Sequence, residues 1–228
     1  MTFQIIYPIN EIFATIQGEA TFAGKPSIFI RMQGCNVGCG WCDTKHTWEL
    51  GQTDKKQFFE IINKQQDQNS WAQATLDEII IYINNNYPHI KHVVITGGEP
   101  AQYDLLPLCS AIENLGKKVQ IETSGTEELK ISEATWVTLS PKINMPGGKK
   151  IIGDNVLRAN EIKMPIGKMA DIEILQKFID NYKIDEELKP IWLQPLSRNL
   201  TATKLCIEQA LKHNWKLSIQ IHKYLNIR

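Results

Sequence analysis

The stretch SIFIRMQGCNVGCGWCD, residues 27–43, runs an apolar, β-rich segment straight into three cysteines, Cys35, Cys39 and Cys42. Its first half reads as a buried strand, because a short run rich in Ile, Phe and Met has the length and composition of one. Its second half starts where that strand ends. There Gly34, Gly38 and Gly40 let a backbone wrap closely around a bulky group. Thiolates are soft ligands, suited to zinc, copper or iron–sulfur clusters.

Runs of the same kind recur: HVVITGGE (92–99), KVQIETSG (118–125), WVTLSPK (136–142), EIKMPIG (161–167), IWLQPLS (191–197) and KLSIQIH (216–222). Segments with helical spacing lie between several of them: TLDEIIIYINNNY (75–87), DLLPLCSAIENLG (104–116), DIEILQKFIDNY (171–182) and TATKLCIEQALKHN (201–214). Asp104, Asp171 and Thr201 or Thr203 are the expected N-caps, and Gly116 is the expected C-terminal stop. Strand alternating with helix predicts parallel strands joined by crossovers. Not every strand is followed by a convincing helix. The α/β fold expected is therefore a partial, TIM-like (β/α) barrel of about six parallel strands with reduced helical cover. Chemistry in such folds sits at the carboxyl ends of the strands. Here those ends read GCNVGC, TGGEP, ETSGT, SPK, QPLS and IHK.

The segment GQTDKKQFFEIINKQQDQNSWAQA, residues 51–74, is rich in Gln, Asn and Lys and breaks the alternation. It is expected to be a polar insertion, part helical and outside the core. No repeat or linker divides the chain, so residues 1–228 are expected to form one domain.

Twenty-five basic residues balance twenty-five acidic ones, so no global charge recruits nucleic acid or an anionic membrane. The first twenty residues lack a basic start followed by an apolar run, and no segment approaches eighteen uninterrupted apolar residues. A cytoplasmic location is expected. In a reducing compartment a tight cysteine cluster binds metal or does redox chemistry more often than it forms disulfides, and the odd total of five points the same way. Cys109 and Cys206 lie among Leu and Ile in helical segments and read as small core residues.

Structural zinc closes its shell with four ligands, usually as two separated pairs. No second Cys-x2-Cys or His-x3-His is present, and His46 is the one candidate for a fourth ligand near the three thiols. A four-iron cluster held by three cysteines leaves one iron open to a substrate or cofactor.

With an aromatic residue, Trp41, just before the last cysteine, the CxxxCxxC pattern at the end of a first barrel strand resembles the radical S-adenosylmethionine (SAM) superfamily. TGGEP, at the end of the next strand, is similar to that superfamily's glycine-rich segment; on its own it reads as a turn. The resemblance implies a radical SAM core with a 4Fe–4S cluster whose open iron chelates the methionyl amino and carboxylate groups.

One family is matched more closely. NEIFATIQGEA, FIRMQGCNVGCGWCDTKHTWE, VVITGGEP, QIETSGT, TLSPKINMPGG and HKYLNIR together resemble the 7-carboxy-7-deazaguanine synthase family, from about Pro8 to the last residue. The resemblance implies a lyase that rearranges 6-carboxy-5,6,7,8-tetrahydropterin to 7-carboxy-7-deazaguanine with loss of ammonia, for 7-deazapurine and queuosine biosynthesis. The adenosyl radical abstracts a hydrogen atom, the ring contracts, and the radical is regenerated. Magnesium assists. A homodimer and an electron donor such as flavodoxin or ferredoxin are implied by the family alone.

A pterin of this kind presents amide and amino donors on one edge, a carboxylate on another, and a flat apolar face. Gln17, Gly18 and Glu19, with Ile16 beside them, offer an amide and a carboxylate suited to the donor edge; the plain alternative is a solvated loop. Arg31 sits in a strand of Ile, Phe and Met, where an unpaired guanidinium is costly. A bound carboxylate accounts for it through a two-pronged contact, and so does an internal salt bridge. By resemblance, Cys35, Cys39 and Cys42 hold the cluster and Thr44 ligates magnesium beside the substrate carboxylate, a hard cation on oxygen; read alone, Thr44 is a cap or turn residue. By the same resemblance Thr96 faces substrate, as does His222, and the terminal carboxylate of Arg228 closes the pocket. The S-adenosylmethionine side is implied to comprise Trp41, Cys42, Asp43, Gly98, Glu99, Ser124, Ser140, Pro141, Lys142 and Gln194. Radical chemistry needs no acid–base pair, so no general base is assigned; His46 or Glu19 are candidates for moving protons as ammonia leaves.

Two rivals share parts of the pattern. A glycyl-radical activase carries CxxxCxxC but acts on a polypeptide and has no need of Gln17, Glu19, Arg31 and a pocket-closing C-terminus together. A non-catalytic metal scaffold would bind partners through residues 51–74.

Overall fold

The computed structural model describes residues 4–64 and 68–227. It begins with a hairpin, β1 (Ile6–Ile16) and β2 (Pro26–Met32), paired antiparallel. Then come β3 (Lys55–Lys56), α1 (Phe58–Ile62), β4 (Trp71–Thr75) and α2 (Leu76–Asn86). The alternation continues through β5 (His92–Gly97), α3 (Leu106–Asn114), β6 (Lys118–Thr123), β7 (Trp136–Leu139), α4 (Gly153–Arg158), β8 (Glu161–Ile166) and α5 (Met169–Tyr182). It ends with β9 (Ile191–Pro195), α6 (Leu200–His213), β10 (Lys216–Leu217) and α7 (Ile221–Leu225).

The described strands form one sheet in the order β10-β9-β8-β7-β6-β5-β2-β1-β4-β3. From β2 to β10 every neighbouring pair is parallel, which gives six full strands and a two-residue seventh. The partial barrel read from the alternation is the fold found. Apolar runs alone do not reveal β1, because Asn10 and Glu11 interrupt it. Both are buried with partners: Asn10 Nδ2 donates to Gln33 Oε1 at 2.7 Å, and Glu11 Oε1 accepts from Arg31 Nε at 2.7 Å.

Helix ends follow local chemistry. Thr75 Oγ1 accepts from the Glu78 N–H, and Glu78 Oε2 accepts from the Thr75 N–H, a reciprocal cap on α2. Asp104 accepts from the Leu106 N–H at the start of α3, and Gly116, at φ +69°, lies just beyond its end. The other two expected caps are corrected. α5 starts two residues before Asp171, which sits in its first turn and accepts from the N–H groups of Gly167 and Lys168. α6 is capped by Asn199, whose Oδ1 takes the N–H groups of Thr201 and Ala202; neither Thr201 nor Thr203 does so.

Two further expectations change. Residues 51–74 are not wholly outside the core: Ile61, Trp71, Ala72 and Ala74 are buried in it, and β4 extends the sheet beyond β1. KLSIQIH is a strand only at Lys216 and Leu217, and His222 lies in α7 instead of ending a strand.

Alternation along β8 sorts its residues. Ile162, Met164 and Ile166 join the apolar core, whereas Glu161 and Lys163 bond to polar groups of other barrel elements. The loop between β1 and β2 reaches across the open barrel. Thr21 Oγ1 donates to Glu161 Oε2 at 2.5 Å, the Ala20 N–H to Ser218 Oγ at 3.0 Å, and the Gly18 carbonyl accepts from the Ile221 N–H at 3.0 Å. The hairpin is thereby tied to the far side of the sheet.

Candidate active site

One cavity lies at the carboxyl ends of the barrel strands, and Cys35, Cys39 and Cys42 line it. The loop that carries them is pinned at both flanks. Gly34 N–H donates to the Thr47 carbonyl at 2.7 Å and Cys35 N–H to that of Trp48 at 3.0 Å. Gln33, fully buried, sends its Nε2 to the carbonyls of His46 and Glu49. The TGGEP segment packs against the loop's entry so tightly that a Cβ on Gly98 would lie 1.9 Å from the Gly34 oxygen. Gly97 is crowded too, a Cβ there falling 2.4 Å from the Met32 nitrogen, and it also adopts φ +116°, a conformation side chains rarely take. On the loop's other side a Cβ on Gly147 would lie 2.1 Å from the Asn36 oxygen.

Three thiols on one cavity wall, with open space beside them, fit a cluster bound through three cysteines. Burial pushes the Cys35 and Cys39 thiols above their ordinary pKa. Among the described residues, no three Cys, His, Asp or Glu side chains are grouped to hold a metal ion. A four-iron cluster does not ask for convergence on one point, since each thiolate binds a different iron.

Around the thiols stand the residues implied for the S-adenosylmethionine side. Trp41, Cys42, Asp43, Gly98, Glu99, Ser124, Ser140, Lys142 and Gln194 line the cavity; Pro141 is buried but not on its wall. The Glu99 carboxylate is already engaged by the Thr123 hydroxyl and the N–H groups of Ser124 and Ala101, so it braces the ends of β5 and β6. Lys142 donates to the Ser140 carbonyl at 3.2 Å and sits 5.0 Å from the Trp41 ring centroid. Burial lowers its pKa, and the Cys39 thiol opposes that.

Opposite, Ile16, Gln17, Gly18, Glu19, Arg31, Thr96, Thr44 and His222 reach the same cavity; Arg228 lies outside the described residues. Arg31 has the salt bridge to Glu11, yet among the described residues no acceptor engages its two terminal nitrogens. It stands beside Thr96 across the β2–β5 ladder. Phe13 and Phe29, stacked 5.5 Å apart, supply an apolar wall. The Thr44 hydroxyl is 3.5 Å from Cys42 Sγ and caps nothing in the turn that follows. Asp43 pairs with Lys223 of α7 at 3.2 Å.

Glu19 is held by Lys163 and by Gln220 Nε2 at 2.8 Å. Burial alone would raise its pKa, but the Lys163 ammonium reverses this and keeps the carboxyl well below the usual range. Lys163 is held above the lysine range against its own desolvation by Glu122 and Glu19. Gln17 uses its amide internally, donating towards Gln120 and Glu122 and accepting from the Glu19 N–H. A Cβ on Gly18 would meet His222 Nδ1 at 2.3 Å, so the imidazole seats against bare backbone. Burial holds the His222 pKa below the ordinary value against the charge of Glu19.

Glu122, Lys163, Gln220, Phe13 and Phe29 were not singled out by sequence. Lys163 carries the signal that marks Arg31, a cation inside an apolar strand, and its partners come from elements far away in the chain.

Residues 29–159 match the Radical SAM superfamily. The chain is 49% identical over 221 residues to the 7-carboxy-7-deazaguanine synthase of Escherichia coli strain K12, covering 97% of this chain and 99% of that protein. It is 33% identical to the 7-carboxy-7-deazaguanine synthase of a Synechocystis strain, covering 98% and 95%. The crystal structure of QueE from Escherichia coli superposes with a TM-score of 0.90 at 47% identity, over 94% of either chain.

Proposed function

The chain belongs to the 7-carboxy-7-deazaguanine synthase family of the radical SAM superfamily, and from that premise we propose which residues of the cavity do which part of the work. The protein is a radical SAM lyase that converts 6-carboxy-5,6,7,8-tetrahydropterin to 7-carboxy-7-deazaguanine with loss of ammonia, in queuosine biosynthesis. A 4Fe–4S cluster and S-adenosylmethionine supply, when bound, the radical that starts the ring contraction.

Cys35, Cys39 and Cys42 hold the cluster. Gly98, Ser124, Ser140, Lys142 and Gln194, with Trp41 and Asp43, hold S-adenosylmethionine, and Glu99 and Pro141 stiffen that wall. The open fork of Arg31 takes the substrate carboxylate. Phe13 and Phe29 cover the flat face of the ring, and Glu19 accepts hydrogen bonds from its donor edge. Gln17 positions Glu19 by accepting its N–H, while Ile16 and Gly18 leave backbone exposed to the ligand. Thr96 and His222 complete the polar contacts, and the Arg228 carboxylate closes the pocket.

Thr44 places a hydroxyl oxygen beside the cluster loop, and Mg2+ on that oxygen would orient the carboxylate bound by Arg31. The open fork of Arg31 carries this assignment, since a half-buried guanidinium on the cavity wall, with two terminal nitrogens that no acceptor among the described residues engages, suits an anion.

The remaining readings concern partners and setting. Free cysteines suit a reducing cytoplasm, and no helix among the described residues is long and apolar enough to cross a membrane. Leu200, Ile207 and Leu211 are exposed on one face of α6 and suit a homodimer contact. A flavodoxin or ferredoxin is the class of electron donor proposed. The direct test is anaerobic incubation with S-adenosylmethionine, reductant, Mg2+ and the carboxypterin, followed by mass analysis. Deazaguanine product is expected; S-adenosylmethionine cleavage without it would refute the substrate assignment.

A further inference from the structure

We propose that Lys163 is a positioning residue that holds Glu19 and Glu122 side by side as carboxylates, so that Glu19 presents an acceptor to the substrate's donor edge. This rests on the substrate reading above.

The geometry is a closed ring of hydrogen bonds. Lys163, only 4% exposed, donates to Glu19 Oε2 and, at 3.1 Å, to Glu122 Oε2. Glu122 Oε1 accepts from Gln17 Nε2 at 3.2 Å, and Gln17 Oε1 accepts from the Glu19 N–H at 3.1 Å, which returns to the start. The free oxygen of Glu19 takes Gln220 Nε2. The ammonium carried by β8 joins the β1–β2 loop to β6, and Gln220 ties the segment before α7 to the same Glu19 carboxylate.

Other charged groups surround the ring. His222 lies by Glu19 and Glu122, Lys142 by Lys163, and Glu161, one turn of alternation below, is occupied by the hydroxyls of Thr138 and Thr21. None of them bridges the two carboxylates as Lys163 does.

Two carboxylates that share one site cannot both stay ionised without a cation, and one takes up a proton. Removing the ammonium therefore changes what Glu19 offers: an acceptor becomes, for part of the population, an O–H facing donors. Substrate affinity should then depend on pH through a group that the intact ring keeps silent. Arginine preserves the charge and preserves the silence.

The experiment measures binding of 6-carboxytetrahydropterin by calorimetry. It uses the cluster-loaded protein with S-adenosylmethionine and no reductant, between pH 6.5 and 9, for the unaltered chain, Lys163→Met and Lys163→Arg. Lys163→Met is expected to bind at least about tenfold more weakly at pH 7, losing about tenfold per pH unit below the pair's new pKa. His222 faces both carboxylates, so the Lys163→Met profile is repeated in Lys163→Met/His222→Gln, where the slope should remain. Lys163→Arg should track the unaltered chain. S-adenosylmethionine affinity and iron content should be the same throughout. Should Lys163→Met fail to fold, the double variant Lys163→Met/Glu122→Gln has a single carboxylate and should bind without the pH slope.

A pH-independent Kd in Lys163→Met, or an equal slope in Lys163→Arg, would overturn the proposal. Failure of the unaltered chain to bind the carboxypterin at all would instead strike the substrate reading.

Discussion

Gly98→Ala tests whether the close seating of the TGGEP segment is what holds the cysteine loop. The added Cβ would sit 1.9 Å from the Gly34 oxygen, where 3.0 Å is the closest that real Cβ atoms come, so the backbones must part by about 1.1 Å. The Glu99 N–H bond to that same oxygen is 2.8 Å long and would stretch past hydrogen-bonding range; the Gly98 N–H bond to Met32, 3.1 Å, is at risk with it. One or two lost bonds cost about 1 kcal/mol each, and forcing atoms into a packed region adds about 1–3 kcal/mol. A total of about 2–5 kcal/mol lowers Tm by roughly 4–20 °C in a chain of this size. The displacement also lands next to Cys35, so iron per chain after anaerobic reconstitution should fall. Gly40→Ala is the control. It lies between Cys39 and Cys42, yet its Cβ would meet nothing within 4 Å, and its cost should stay within about 0.5 kcal/mol. Thermal unfolding and iron analysis of both variants decide the matter. Gly98→Ala with unaltered Tm and iron, or Gly40→Ala equally damaged, would refute the reasoning.

Three further outcomes follow. Arg31→Lys keeps a charge against Glu11 but loses the fork, so KM for the carboxypterin should rise about 10- to 100-fold in steady-state kinetics, with S-adenosylmethionine affinity unchanged. Gln33→Leu strands the carbonyls of His46 and Glu49 and removes one of the acceptors of the Asn10 amide; at about 1–3 kcal/mol for each buried group left unpaired, the urea midpoint and iron retention should both drop. His92 is buried beside Ser27, and burial pushes its pKa down to about 4. The unfolded chain takes that proton near pH 6.5 and the folded chain does not, so stability must fall as pH drops through this window. Between pH 7 and 5 the loss is about 2 kcal/mol. Urea unfolding at both pH values should show that this component of the slope is absent from His92→Phe.

Local spacing made part of the site legible. CxxxCxxC, TGGEP and the misplaced cation Arg31 each carry their message within a few residues, and the structure brings all of them to one cavity. What stayed hidden depended on distant partners. KLSIQIH and EIKMPIG show similar alternation, yet only the second is a full strand. In the first, Ser218 Oγ accepts from the Ala20 N–H, Gln220 donates to Glu19, and the Ile221 N–H turns to Gly18 instead of continuing a ladder, so the chain coils into α7 and carries His222 to the pocket. The polar stretch 51–74 misleads for a related reason. Its Lys64 and the carbonyls of Gln68 and Ser70 converge on buried Asn10, which holds Gln33, which holds the turn behind the cysteines. Polarity there marks an internal brace as much as a solvated surface. Shortening residues 57–70 should therefore weaken cluster retention even where no cavity residue is touched, and an unchanged iron content in such a deletion would show that Gln33 suffices alone.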